Sequence, residues 1–391
     1  MSRKAFVTPE LLVWARTTAK FSEEKAAEKL KISVEKLKRI ESGEETPSFS
    51  LAEKMSKLYR RPLAVFYLPE PPKDFDTLRD FRGRRFETEI STALTFFIRG
   101  IREKQDRISE IKKEEGDEKL RFLNRFNTNN SEIEVAESIV QTFVPEDKKG
   151  YRKNSLKEWI TWVEQKGIFV SVTKSFQNQY PIEIDDARGF AIYDPYAPFI
   201  FINGRDSENA KMFTLIHELA HLWIGESGIS DINLYEPSVF AEDEFSKTER
   251  FCNRVAANVL MPETFFKEQN KRGVIWDHSV IEENSKKLGV SSYAMLIRLF
   301  ELRMINKSEF KLLKDIIQDK YQKFLLQQAE KSAGAQTDYY RVVINRNSKS
   351  FSQFVYYLYR SGRIQGVEAS NLLGVKLNLF DKLKSNLIIQ G

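Results

Sequence analysis

Phe213 to Trp223 reads FTLIHELAHLW, and no other run in the chain combines apolar character with so compact a set of ionisable groups. Apolar residues fill most positions from Met212 to Ile224, which predicts a helix that is hydrophobic nearly all round and therefore buried. Its only ionisable residues are His217, Glu218 and His221, in an HExxH arrangement. Two histidines four apart on a helix share one face about a turn from each other, so both imidazoles can reach a single Zn²⁺, and the intervening glutamate is turned to address water beside the ion. With 3 histidines in 391 residues, the pattern is expected by chance roughly 0.003 times. A buried ionisable group needs a partner; the alternative to a metal is a pair of core histidines with satisfied hydrogen bonds.

Catalytic zinc usually takes three protein ligands and keeps a position open, so a third ligand has to come from elsewhere. The segment SKTERFCNRVAANVLMP, Ser246 to Pro262, predicts a second helix with Cys252, Val255, Ala256 and Val259 on its apolar face and Glu249 one turn N-terminal on that side. Glu249 is the favoured ligand. Glu242 and Glu244 compete with it, and Ser246 with Glu249 also spells a capping box, in which the carboxylate would serve the helix start instead.

Upstream, a helical run SLKEWITWVEQKG precedes two β-rich stretches, Ile168 to Val172 and Phe190 to Ile202, the second broken by DPYAP. These predict a small sheet directly before the histidine helix, whose edge near Asn203 is a candidate for binding an extended peptide by strand addition. Further upstream, residues 9–68 predict four or five short helices, with Ser22 and Ser33 as N-caps and Gly43 as a left-handed stop. Between the two regions, Phe86 to Asn127 is dense in charges of alternating sign and reads as a solvent-facing helical connector.

GFAIYDPYAPFIFIN, FTLIHELAHL and ERFCNRVAANVLMP together resemble the ImmA/IrrE family of zinc metallopeptidases. Its second motif, approximately E-x-x-A-N-x-F-A-A-x-L-L-M-P, lays the ligand glutamate on Glu249, the asparagine on Asn253 and the end of the motif on Met261 and Pro262, with Cys252 and Val255 in place of the usual Ala and Phe. The resemblance extends N-terminally to a Cro/CI-like helix-turn-helix followed by YRRPLAVFYLPEPP, Tyr59 to Pro72. It implies a mainly α chain with a small β-sheet (α+β), divided into a helix-turn-helix domain at 1–72, a helical connector at 73–147, a minimal gluzincin-like peptidase domain at 148–268 and a basic helical domain at 269–391 with a linker near 330–338. It also implies Zn²⁺ held by His217, His221 and Glu249, with Glu218 as general base. The expected substrate is a protein such as a transcriptional repressor, controlling stress, mobile-element or phage-related genes. The alternative is a DNA-binding regulator or antitoxin-like partner that keeps the peptidase fold as a scaffold.

Other signals are weaker. Tyr193, Tyr196, Tyr235 and His278 are candidates for stabilising an oxyanion, with no pattern to choose among them. A lone cysteine, Cys252, excludes an intrachain disulfide, fits a cytoplasmic setting, and on an apolar face reads as a small core residue. No run approaches the roughly 18 apolar residues of a membrane span, and the N-terminal residues show no export signal. Glu23, Glu24, Glu35, Glu41, Glu44 and Glu45 surround the reading helix expected at Ser33 to Glu41; carboxylates repel phosphates, which favours protein docking over DNA there. The net charge of +6 sits in the last quarter, where residues 301–391 hold 15 Lys and Arg against 8 Asp and Glu. Its aromatics, among them Phe351 and Phe354, have the spacing of a helical core, and the region reads as a bundle with a solvated basic face.

Overall fold

The computed structural model describes residues 3–72, 79–80, 90–150, 154–176, 180–230, 244–331 and 338–388. The chain separates into two compact units, one of residues 1–77, 86–103 and 175–182, the other of 78–85, 104–174 and 183–391.

The first unit opens with four helices, α1 (Pro9–Thr18), α2 (Glu23–Leu30), α3 (Val34–Glu41) and α4 (Phe49–Tyr59), and a 3₁₀ turn at Leu63–Tyr67. Ser22, Ser33 and Ser48 cap α2, α3 and α4 by accepting the N–H of Lys25, Lys36 and Leu51, each at 3.2 Å. Lys31 at φ 57 turns the chain between α2 and α3. Ala26, Leu30, Leu37 and Ile40 are buried on either side of that turn, against Leu12, Ala15 and Met55. Gly43 follows α3 in the left-handed region, as its place in the sequence predicts.

Helix α5 (Thr92–Glu114) begins in this unit and ends in the other. It is not the solvent-facing connector that its charges suggest. Ile98, Ile101, Gln105, Ile108, Ser109 and Ile111 are buried along one stripe, and the charges occupy the remaining surface. Alternating charge reports on the outer face of a helix and is silent about the inner one. The short hairpin of β3 (Ser175–Phe176) and β4 (Tyr180–Pro181) completes the first unit.

The second unit is built on a mixed sheet in the order β1-β7-β5-β6-β2, from strands β1 (Arg79–Asp80), β2 (Phe169–Thr173), β5 (Gly189–Ile192), β6 (Phe199–Asn203) and β7 (Gly228–Ser230). β2 runs parallel to β6 with Phe169 opposite Phe199; β5 is antiparallel to both β6 and β7. Every residue of β5 and β6 is buried, as expected for strands covered on both faces. The edge proposed near Asn203 does not exist: β6 lies between β5 and β2, so its backbone groups are already paired.

Helices α6 (Glu132–Phe143), α7 (Leu156–Gln165), α8 (Glu208–Trp223) and α9 (Glu244–Leu260) share one core with this sheet, centred on Val163, Ile200, Leu215, Leu219, Trp223 and Val255. A second core, around Phe265, Met295 and Leu299, joins α10 (Glu263–Lys271), α11 (His278–Leu288), α12 (Ser292–Glu301) and α13 (Lys307–Lys331). Past residues 332–337, which include most of the expected linker and lie outside the described residues, come α14 (Tyr339–Asn347), α15 (Lys349–Arg360), α16 (Gly366–Leu373) and α17 (Phe380–Ile388). These last helices cover the far side of β2: the Ser171 hydroxyl donates to the Arg346 carbonyl at 2.6 Å, and Phe351 sits edge-on to Phe169 and Phe199 with centroids 5.5 Å from each. The fold is α+β. No described helix is long and apolar enough to cross a membrane.

Candidate metal centre

Helix α8 begins at Ser207, whose hydroxyl accepts the Ala210 N–H, and from Ala210 to Trp223 every residue is buried. A helix enclosed on all sides presents its few polar groups to protein, not to water. His217 and His221 lie one turn apart with their Nε2 atoms 3.0 Å from each other. Helix α9 packs against α8, and its Glu249 reaches both rings: Oε2 is 3.3 Å from His217 Nε2 and Oε1 is 3.1 Å from His221 Nε2. The three ligand atoms that could hold a metal lie within 4.8 Å of one another, and all three residues are buried.

Burial pushes the Glu249 carboxyl up, but the imidazoles, His217 foremost, outweigh it and bring it down to about 2. The carboxylate is therefore an anion at neutral pH. Two imidazole nitrogens and a carboxylate turned toward one point bring together lone pairs that repel one another unless a cation or a proton sits among them. Two nitrogens and an oxygen donor are a set that zinc accepts, so the residues present fit a divalent ion.

Of the competing ligands, Glu242 lies outside the described residues, and so does the side chain of Glu244, the first residue of α9. Ser246 falls inside α9, past its start, so Glu249 does not close a capping box there. Glu218, next after His217 on α8, is fully buried. Asn253, one turn after Glu249, turns a buried Oδ1 inward that has no hydrogen-bond partner among the described residues. Cys252 is 0 % exposed, and burial pushes its thiol well up, with Glu249 and Glu218 adding to the effect. It is a packing residue, as the sequence suggests.

Two features of this region escape a search for ionisable motifs. The first is Gly189 at the start of β5. A Cβ there would stand 2.5 Å from Thr214 Cγ2 and 2.9 Å from both Glu218 Oε1 and the Phe201 carbonyl, so strand and helix touch because position 189 has no side chain. The signal was a glycine opening an otherwise apolar strand, where a close backbone approach is one of few reasons for it. The second is the clamp on the DPYAP turn. The Gln105 amide of α5 donates to the carbonyls of Ile192 and Ala197, each at 3.0 Å, and Asp194 accepts the N–H groups of Tyr196 and Ala197 and the Ser109 hydroxyl.

The candidates for oxyanion stabilisation scatter. The Tyr193 backbone N–H donates to the Ser227 hydroxyl oxygen at 2.8 Å. Tyr196 lies in the clamped turn, with Lys113 Nζ 5.4 Å from its ring centroid. Tyr235 lies outside the described residues. His278 heads α11 beside Lys320 and Glu282 and is not in the metal-type cluster.

A helix-turn-helix at one end of the chain and, in the second unit, a buried His, His, Glu cluster on paired helices beside a small mixed sheet set the class: a helix-turn-helix protein carrying a peptidase-family domain. Residues 164–300 match the IrrE N-terminal-like domain of peptidase family M78, and residues 12–66 match the helix-turn-helix family. The chain has the architecture of the ImmA/IrrE family. No curated protein matches it significantly.

Proposed function

We propose that the chain is a zinc-dependent endopeptidase whose metal is held by His217, His221 and Glu249 and whose general base is Glu218. The observation that carries the reading is the meeting of His217, His221 and Glu249 at one buried point, with Glu218 on the same turn of α8. The imidazoles hold the ion through Nε2, and the Glu249 carboxylate gives the set its one negative charge. When bound, the ion supplies Lewis acidity that polarises a scissile carbonyl and makes water easier to deprotonate. Glu218 takes the proton from that water and passes it to the leaving amine. Gly189 lets the strand approach closely enough to fix the Glu218 side chain, and Asn253 offers its inward oxygen as a further positioning contact on α9.

The substrate proposed is a protein regulator such as a repressor, on the strength of the family resemblance, acting in the cytoplasm. For the N-terminal helix-turn-helix we favour protein docking. All three cations of its reading helix α3 are engaged within the module: Lys36 and Arg39 with Glu45 at 3.6 and 3.0 Å, and Lys38 with Glu23 at 3.2 Å. A cation already paired with a carboxylate adds little affinity for a phosphate.

The test pairs metal analysis with cleavage of a candidate repressor. Glu218→Gln is expected to keep one zinc per chain and to lose cleavage by about 10²- to 10⁴-fold, whereas His217→Ala loses the metal as well. A wild-type protein that stays metal-free in excess zinc, or cleavage indifferent to Glu218, overturns the proposal.

A further inference from the structure

The turn between α2 and α3 fixes a spacing. Counting from left-handed Lys31, apolar residues lie five and one before it (Ala26, Leu30) and one, six and nine after it (Ile32, Leu37, Ile40). The same spacing recurs around Gly374, which sits at φ 62 between α16 and α17. Ala369, Leu373, Val375, Phe380 and Leu383 occupy the five positions and are all buried. The turn is locked locally: the Gly374 and Val375 N–H groups donate to the Asn371 and Ser370 carbonyls, the Ser370 hydroxyl donates to the Val375 carbonyl at 2.6 Å, and the buried Asn347 amide donates to the Leu373 carbonyl at 2.7 Å. A 3₁₀ turn, Leu377–Leu379, runs straight into α17, so the second helical segment begins three residues after Gly374, as α3 begins three residues after Lys31. Two helical segments joined by such a turn over this core have the pattern of a helix-turn-helix, whose second helix is the one that enters a DNA groove.

A third helix pair with a left-handed turn, α11 and α12 around Gly289 at φ 73, keeps only Leu288, Val290 and Met295 of the five apolar positions and shows what disqualifies such a pair. No residue of α12 is exposed, and Tyr293, Ala294, Met295, Leu296, Arg298 and Leu299 are buried, so it has no face to offer. In the N-terminal unit the face exists but its cations are paired with Glu23 and Glu45. The C-terminal unit has neither defect. Lys376 and Asn378, at and within the 3₁₀ turn Leu377–Leu379 that leads into α17, and Lys382, Lys384 and Ser385 on α17 are all exposed, and the three lysines form no ion pair among the described residues. One acid, Asp381, shares that side; the other acid of the unit, Glu368, is engaged by Arg107 at 2.6 Å. Arg360, at the end of α15, adds a further exposed cation.

We propose that the C-terminal helix-turn-helix, α16 and α17, binds duplex DNA, with Lys376, Lys382 and Lys384 contacting the phosphate backbone and Asn378 facing the groove. Exposed cations with no carboxylate partner among the described residues are what a polyanion recruits, through release of its condensed counterions. Asparagine is a side chain suited to an adenine edge. The inference is independent of the peptidase reading, since none of these residues belongs to the metal cluster.

The experiment is fluorescence anisotropy of the full chain on a mixed-sequence duplex of about 30 base pairs, from low to moderate salt. The wild type is expected to bind, and Lys376→Glu with Lys382→Glu and Lys384→Glu to weaken binding at least about 100-fold. Single Lys→Gln changes at the same positions, which leave the core untouched, are each expected to lower the salt slope by about 1. Lys36→Glu with Lys38→Glu and Arg39→Glu is expected to change affinity less than about threefold. Failure of the wild type to bind in low salt overturns the proposal. So does loss of binding in the α3 variant with retention in the α17 variant, or competition by polyglutamate as effective as by unlabelled duplex, which would make this an acidic-protein surface.

Discussion

Gly189 is the residue whose importance is most out of proportion to its chemistry. Any side chain there must displace Thr214 or the Glu218 carboxylate, and the Phe201 carbonyl on the third side belongs to a paired strand that cannot move away. Gly189→Ala is expected to cost about 1–3 kcal/mol of stability, the usual range for overpacking, and to lower peptidase turnover further by shifting Glu218. Denaturant unfolding and a cleavage assay with zinc content as control check this; an alanine variant with wild-type stability and turnover would contradict it. The four ionisable candidates differ in how they can be read from sequence. His217, Glu218 and His221 are legible because their chemistry depends on local spacing along one helix. Glu249 is only ranked by its place on an apolar face, since its meeting with the histidines is made by the packing of α8 on α9, which no spacing within one helix encodes.

Among the elements, α7 carries a contact that ties distant parts of the second unit together. Its Glu164 carboxylate accepts the Ser348 hydroxyl at 2.5 Å and the Lys349 and Ser350 N–H groups at 3.1 and 3.3 Å, capping the start of α15 from outside that helix. Burial pushes the Glu164 carboxyl up, and these hydrogen bonds only partly oppose it. The folded chain therefore holds the Glu164 proton to higher pH than the unfolded chain does. Its contribution to stability is full below the ordinary carboxylate range and declines as pH rises from there through the raised value. Glu164→Gln keeps an acceptor without the charge, so the wild type is expected to lose stability relative to that variant as pH increases across this window; urea midpoints at several pH values test it, and a constant difference would refute it. Glu164→Ala, which strands three donors, is expected to cost about 1–3 kcal/mol below the ordinary carboxylate range and less as pH rises through the raised value. The helices and strands themselves were largely readable, from the serine caps of the first unit to the two β-rich runs. What was not readable is which strand stands at an edge. Ile168 to Val172 and Phe190 to Ile202 look alike as sequence, and only the order β5-β6-β2 shows that the run ending at Asn203 is internal.

At the scale of the whole chain, the same apolar spacing occurs around Lys31 and Gly374, while around Gly289 the left-handed turn recurs but Asn284 and Arg298 hold two of the five positions. A search for a fixed period cannot find it; the repeat lies in buried positions around a turn, and its uses diverge with what remains exposed. The basic C-terminal region, read from sequence as a bundle with a solvated face, also forms a wall of the second unit. Phe351 fills the gap over Phe169 and Phe199. Phe351→Ala is expected to cost about 3–5 kcal/mol, as for other fully buried phenylalanines, and to raise the susceptibility of the second unit to limited proteolysis, although the substitution lies far along the chain from the histidines. A variant that unfolds at the wild-type denaturant midpoint would show that the contact is dispensable.

That wall is synthesised after the sheet and the histidine helix. Until α14 and α15 are made, the outer side of β2 lacks the ring that covers Phe169 and Phe199, so a nascent or prematurely terminated product carries the His217, His221 and Glu249 cluster beside a sheet missing one of its covers. Such a product is a ready client for chaperones and quality control. Synthesis through α15 thus becomes a condition for a fully covered second unit.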